Sequence, residues 1–349
     1  MPSVSSHNGV ELTGRAAWPA RFADVRDEFI ALRSTAGVHN LAARARFRLT
    51  GMDRVRWLNG MVTNNIRELG VGEGTYAFLL NPQGHILGDL TTYHRGEYLL
   101  VETDQTQADK ILATFDHFII MDDVEVSNIS ETLTTIGLTG PKAETLLRAA
   151  GFEIPELKIL QVADLAWQQT PVTIVRGGGE NYPSYEVWIA PGQADSLLKA
   201  LQSAGAFPVG RDGLELYRVA LGIPRYGQDI RERDLPQETE QQRALNFNKG
   251  CYVGQEIVER IRSRGAVHRK FTGFRLAGPL PAPGTKIQVQ AKDVGEITSS
   301  ALIPAPEGDQ AVALGYIRRE FGAPGKQLDI AGSVATVSDL PFTDLLKTQ

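Results

Sequence analysis

The chain has 349 residues, with 36 Lys+Arg against 41 Asp+Glu and a formal charge of −5; this argues against a general nucleic-acid coat but leaves room for a local basic patch. Its single cysteine excludes an internal disulfide and a cluster held by four cysteines of this chain alone, and fits a reducing compartment. No basic start followed by an apolar run marks a secretory signal, and no apolar stretch reaches the roughly 18–20 residues that span a bilayer. A cytoplasmic location with no membrane partner is therefore expected, and the length predicts two or three domains.

Residues 1 to about 20 are polar and carry little signal. Phe22 to Leu32 has the apolar spacing of a helix, which Gly37 breaks. Phe47 to Leu49 reads as a short strand. Asp53 to Leu58, with Trp57 and Val62, reads as an amphipathic helix followed by turn residues Thr63-Asn64-Asn65. Residues 76–93 form a predicted hairpin around Asn81-Pro82-Gln83-Gly84. Tyr98 to Val101 is a third strand, Ala108 to Phe118 a helix and Val124 to Val126 a strand. Residues 134–138 are a strand, and Pro141 to Ala150 a helix stopped by Gly151. Val172 to Val175 and Tyr185 to Ile189 flank Gly177-Gly178-Gly179. That run lacks the GK[ST] ending of a phosphate loop and reads as a hairpin turn. Helices follow at 194–203 and 214–220, the second stopped by Gly222-Ile223-Pro224. From Phe271 on, short apolar runs separated by Pro and Gly predict a small all-β barrel or sandwich.

Between these parts lies Asn246 to Arg264, which holds the lone Cys251 between Gly250 and Gly254. Ile257, Val258 and Ile261 then recur at helical spacing, with Gln255 and Glu256 in the first turn. The pattern predicts a glycine-bracketed turn with a thiol at its apex, entering a helix. Lys249 and a helix N-terminus would both favour thiolate. A free cysteine is equally often a small buried hydrophobe, and spacing alone does not choose.

Lys249-Gly250-Cys251-Tyr252-Val253-Gly254-Gln255-Glu256 resembles the K-G-C-[FY]-x-G-Q-E signature of YgfZ-type folate-binding proteins. These are relatives of the glycine-cleavage T-protein, an aminomethyltransferase, and are linked to assembly or repair of iron–sulfur enzymes and to tRNA modification. Asn59 to Asn65, Leu80 to Gly84, Tyr217 to Pro224 and Leu314 to Ile317 resemble further family motifs in the same order. The resemblance implies an α+β fold, a three-domain cloverleaf around a central folate cavity. It implies a discontinuous first domain (1–49 plus 134–248), an inserted second (50–133), a linking signature segment (249–270) and a C-terminal β-barrel (271–349).

It also implies the site. Tetrahydrofolate or a derivative is the expected cofactor. Its pterin calls for a carboxylate that accepts two N–H groups, and its tail for a cation. Glu186 matches the family's pterin position, with Arg218, Tyr93 and Asn81 as further cofactor-binding candidates. Without the resemblance, Glu186 and Arg218 read as surface charges and Tyr93 as core. The transferases carry an acid as an Asp-Asp pair in G-G-[IV]-x-D-D-L. Here the match is Gly84 to Leu90, with Gly88 at the first acid and only Asp89 remaining. Glycine transfers no proton, so if the first acid is the catalytic one, aminomethyl transfer is lost. Cys251, Lys249 and Asp89 are the expected catalytic residues, within a motif completed by Gly250, Tyr252, Gly254, Gln255 and Glu256. Three functions follow: a folate-dependent accessory of iron–sulfur assembly or repair, a glycine-cleavage aminomethyltransferase, or a non-catalytic folate-sensing or RNA-associated scaffold.

Arg260, Arg262, Arg264, His268, Arg269 and Lys270 form a dense positive run. It reads as a solvated face, or as a site for a polyglutamate tail, an acidic partner protein or RNA phosphates, RNA being the weakest for want of stacking aromatics. His39, His85, His94 and His117 lack metal-ligand spacing, so no metal is expected. A monomer with iron–sulfur assembly or client proteins as partners completes the expectation.

Overall fold

A computed structural model describes residues 18–179, 182–265 and 267–347. Helix α1 (Val25–Ser34) starts at Asp24, whose carboxylate accepts the Arg26 N–H, satisfying an otherwise orphaned helical donor. Gly37, expected only to break this helix, begins strand β1 (Gly37–Asn40). The next strand, β2 (Arg44–Thr50), already lies in a second sheet. The crossing between sheets therefore falls between Asn40 and Arg44 rather than after Leu49.

The second sheet is built by β2 with the hairpin β3 (Gly74–Leu80) and β4 (Ile86–His94), then β5 (Leu99–Asp104) and β6 (Glu125–Asn128), in the order β3-β4-β5-β2-β6. Helices α2 (Arg54–Met61) and α3 (Ala108–Phe118) cover its outer face. The chain then returns to the first sheet with β7 (Thr134–Thr139), β8 (Val162–Trp167), β9 (Thr170–Gly179), β10 (Tyr182–Ile189) and β11 (Phe207–Pro208), ordered β11-β1-β7-β10-β9-β8. Its outer face packs on α4 (Ala143–Ala149) and α5 (Ala194–Ser203).

Strand alternation decides which residues go where. On β2, Ala45, Phe47 and Leu49 point to the helices and are fully buried, while Arg44, Arg46 and Arg48 take the opposite face. Fully burying a side chain such as Phe47 or Leu49 contributes about 1.5–3 kcal/mol. The outer cores therefore hold each sheet, and the inner faces are free to be polar.

Helix α6 (Arg211–Leu221) leads into an irregular strap, residues 222–254, and then α7 (Gln255–Arg264). Strands β12 (Arg269–Leu276), β13 (Lys286–Val289), β14 (Lys292–Ile303), β15 (Gln310–Arg318), β16 (Gln327–Ile330) and β17 (Ser333–Ser338) close as a barrel in the order β12-β15-β14-β13-β16-β17, followed by α8 (Thr343–Leu346). The expected small all-β unit is thus a closed six-stranded barrel, and the whole is α+β.

The strap is tied to the barrel by charge. Fully buried Asp229 accepts from Arg218 (2.7 Å), Arg225 N–H (3.0 Å), Thr298 (2.5 Å) and Ser299 (2.7 Å). Arg231 reaches Glu296 at 2.6 Å, and Arg269 reaches Asp234 at 2.7 Å and Glu238 at 2.8 Å. Among the described residues no helix is long and apolar enough to cross a membrane.

Candidate functional site between the two sheets

The inner faces of the two sheets meet in a mixed layer, an apolar cluster of Tyr93, Leu100, Val162, Val175 and Trp188 beside a group of buried charges. Arg46 is 1% exposed and lies 2.6 Å from Glu102, its direct partner across β2 and β5. Its guanidinium also bonds Thr135 on the facing sheet and sits 4.9 Å from the centroid of Trp188. Tyr93 meets Trp188 edge-on at 5.1 Å. Glycine makes room for these rings: a Cβ on Gly74 would stand 2.5 Å from the Tyr93 ring, and one on Gly137 would stand 2.1 Å from the His39 ring.

His39, Gly137 and Glu186 form one row across β1, β7 and β10. Burial, and secondarily Arg44, push the His39 pKa down to about 4, so the ring is neutral. It shares a 3.0 Å hydrogen bond with Thr139, and among the described residues its Nδ1 has no partner. Glu186 is underused as an acceptor. Among the described residues it receives one long bond, 3.4 Å from Trp188 Nε1, and stands 3.7 Å from Arg44. Burial first, then Glu102, raise its pKa, while Arg44 and Arg46 oppose them.

Asp89 and Gly88 lie on opposite faces of β4. Asp89 pairs with Phe78 on the inner face; Gly88 pairs with Leu79 on the helix face. A Cβ on Gly88 would touch Gln107 Oε1 at 3.0 Å and Ile111 at 3.3 Å, inside the α3 core. The Asp89 carboxylate accepts from the Tyr76 hydroxyl (2.7 Å) and Gln107 Nε2 (2.7 Å). Burial and Asp89 push the Tyr76 phenol well above its ordinary value, with Arg243 and Arg44 pulling the other way. Arg44 thus acts on both Asp89's partner Tyr76 and Glu186.

The signature turn packs against the β3–β4 hairpin at one end of this face. Gly254 is left-handed (φ +80°) and a Cβ there would lie 2.6 Å from the Asn81 carbonyl oxygen. The Asn81 side chain closes its own turn by accepting the His85 N–H at 2.9 Å. Tyr252 is buried beside Phe78, Leu80 and Ile86. Gln255 accepts the Tyr252 N–H at 3.3 Å, while Glu256 and Gly250 are exposed. Cys251 is exposed, which answers the open choice: it is no buried hydrophobe.

Lys249 has a different job from the one expected. Its Nζ donates to the carbonyls of Asn59 (2.5 Å), Val62 (2.6 Å) and Asn64 (2.7 Å), at and just beyond the C-terminus of α2. A cation suits that end of a helix dipole. Burial, then Arg67, lower its pKa to about 7. All three ammonium donors are engaged with α2 and the turn after it, so this residue anchors the signature segment and has no N–H left to give the Cys251 sulfur.

A profile of the GCVT N-terminal domain matches residues 7–249, and one of the glycine cleavage T-protein C-terminal barrel domain matches residues 269–344. This chain belongs to the glycine cleavage T-protein family. It is 29% identical over 318 residues to an aminomethyltransferase of Rubrobacter xylanophilus, covering 89% of this chain and 84% of that one. It is 27% identical over 333 residues to an aminomethyltransferase of Thermus thermophilus, covering 94% and 93%. The crystal structure of glycine cleavage system aminomethyltransferase T from Bartonella henselae shares the fold, with a TM-score of 0.82 at 22% identity over 92% of this chain and 90% of that one.

In this member of the T-protein family, Glu186 and Tyr93 share the inter-sheet layer and Asp89 lies on its face, but Arg218 does not join them. Its guanidinium is divided among Glu215, Asp229, Ser299 and the Ile223 carbonyl, so it joins α6 to strap and barrel and has no donor to spare for a folate tail. Arg269 of the positive run turns inward to Asp234 and Glu238. Sequence reasoning missed Arg44, Arg46, Glu102, His39 and Trp188. The signal was present in Arg44-Ala45-Arg46-Phe47-Arg48-Leu49: cations at every second position opposite an apolar face. Among the described residues no group of three or more His, Cys, Asp or Glu could hold a metal ion.

Proposed function

We propose that this chain binds tetrahydrofolate or a derivative between the two sheets and uses it in transfer of an aminomethyl-type one-carbon unit. The observation that carries this reading is the orientation of β4: the surviving acid, Asp89, faces the site, and the position that lacks one, Gly88, faces the α3 core. The curated relatives named aminomethyltransferase support it. The residues fit a pterin, because the Glu186 carboxylate has acceptor capacity left for ring N–H groups. Trp188 and Tyr93 wall it on the apolar side. Folate supplies the amine that takes up the one-carbon unit. Asp89 Oδ1 and Oδ2, fixed by Gln107 and Tyr76, then provide a positioned carboxylate for a proton or for positive charge. The test is tetrahydrofolate-dependent ammonia release from an aminomethyl-lipoyl carrier. Turnover is expected, with Asp89→Asn slower by about a hundredfold or more. A native chain that binds folate but gives no turnover with a competent carrier would sink the transferase reading.

A second reading, a folate-dependent accessory of iron–sulfur assembly or repair linked to tRNA modification, is favoured by one observation: Cys251 is exposed on its glycine-bracketed turn. Maturation of [4Fe–4S] enzymes under oxidative stress should fall when Cys251 is replaced by alanine. Unchanged maturation removes the thiol from the mechanism.

A further inference from the structure

Arg44 and Arg46 leave β2 on one face, yet they are held differently. Arg46 is closed in, paired with Glu102 and stacked on Trp188. Arg44 is 35% exposed, and its guanidinium makes only long contacts: 3.9 Å to Glu102 of its own sheet and 3.7 Å to Glu186 of the facing sheet. Both are within ion-pair reach but too long for hydrogen bonds. A guanidinium has five donors, and among the described residues none of these is in a hydrogen bond. Glu186 is underused from its side as well, with a single 3.4 Å bond.

The groups facing Glu186 come from three other strands: Arg44 and Arg46 from β2, Glu102 from β5 and Tyr93 from β4. Neutral His39 lies two strands away in the same row. Arg46 and Glu102 already match each other, which leaves Arg44 as the uncommitted cation. The four charges nearest one another here, Arg44, Arg46, Glu102 and Glu186, sum to zero, with Asp104 acting on Arg44 from the end of β5. A ligand meeting Glu186 therefore brings hydrogen-bond donors and needs no net charge of its own.

We propose that Arg44 is a positioning residue that bridges the two sheets and holds the Glu186 carboxylate as an acceptor aimed at the N–H edge of a neutral, planar, donor-rich heterocycle. This rests on the folate reading of Glu186. Without Arg44, burial and Glu102 act on Glu186 with only Arg46 against them, and the carboxyl takes up its proton at higher pH. The experiment is calorimetric titration with 5-formyltetrahydrofolate from pH 5 to 8, on the native chain and on Arg44→Gln, Arg44→Lys and Glu186→Gln, each checked for native-like thermal unfolding. Native binding should weaken on the acid side. Arg44→Gln should bind about tenfold more weakly near neutral pH, with its acid limb displaced upward. Arg44→Lys should recover part of both, and Glu186→Gln should lose the limb. Weaker binding by Arg44→Gln with an unmoved limb, or a limb that survives in Glu186→Gln, overturns the proposal while leaving folate binding intact. A native chain that binds no folate overturns the underlying reading instead.

Discussion

Gly254 and the Asn81 carbonyl approach more closely than any side-chain-bearing residue permits: a Cβ on Gly254 would stand 2.6 Å from that oxygen, on a backbone at φ +80°. A Cβ on the opposing Gly84, at φ +76°, would stand 2.8 Å from the Ile257 side chain. Gly254→Ala should therefore lower stability by about 1–3 kcal/mol, read from urea unfolding. A loss below about 0.5 kcal/mol would show that the turn and hairpin can part without strain.

Restoring the acid pair should not help. Gly88→Asp places a carboxylate against Gln107 Oε1 and Ile111 in the α3 core, and burying a charge without a matched partner costs several kcal/mol. The variant should be destabilised by roughly 3 kcal/mol or more and gain no transferase activity, whereas Asp89→Asn should keep near-native stability and lose activity. An active, stable Gly88→Asp variant would show that position 88 reaches the site.

Much of the fold was legible because local rules and tertiary packing agree. The β3–β4 hairpin follows from its Asn-Pro-Gln-Gly turn, and the barrel from short apolar runs broken by Gly and Pro. What was not legible depends on long-range pairing. Gly37–Asn40 is four residues long and is made a strand by partners at Phe207 and Ile136 to Thr139. Arg44 meets Glu186 only because two sheets oppose each other, which neither strand's periodicity contains. Lys249 was legible as a residue of interest but not in role, because which carbonyls a lysine reaches is set by the packing of α2.

Lys249→Met keeps the length of the side chain and removes its donors. The carbonyls of Asn59, Val62 and Asn64 lose their common partner, and a buried acceptor left unmatched costs about 1 kcal/mol or more. A loss of about 2–4 kcal/mol is expected in denaturant titration. Native stability in this variant would refute the anchoring role.

Glu296 gives the joint between strap and barrel its pH dependence. Burial alone would raise its pKa; hydrogen bonds from Lys286 and Arg231 outweigh this and take it from 4.5 down to about 2. The folded state therefore holds the proton less tightly than the unfolded chain. The stabilisation, about 3 kcal/mol at most, is complete above pH 4.5 and is lost as pH falls toward 2. Glu296→Gln should lower stability at pH 7 and flatten the acid side of the stability profile. An unchanged slope between pH 4.5 and 2 would assign acid sensitivity to other groups.

Because four hydrogen bonds converge on the single carboxylate of Asp229, the barrel has no pivot there: turning it would sever helix, strap and two barrel hydroxyls together.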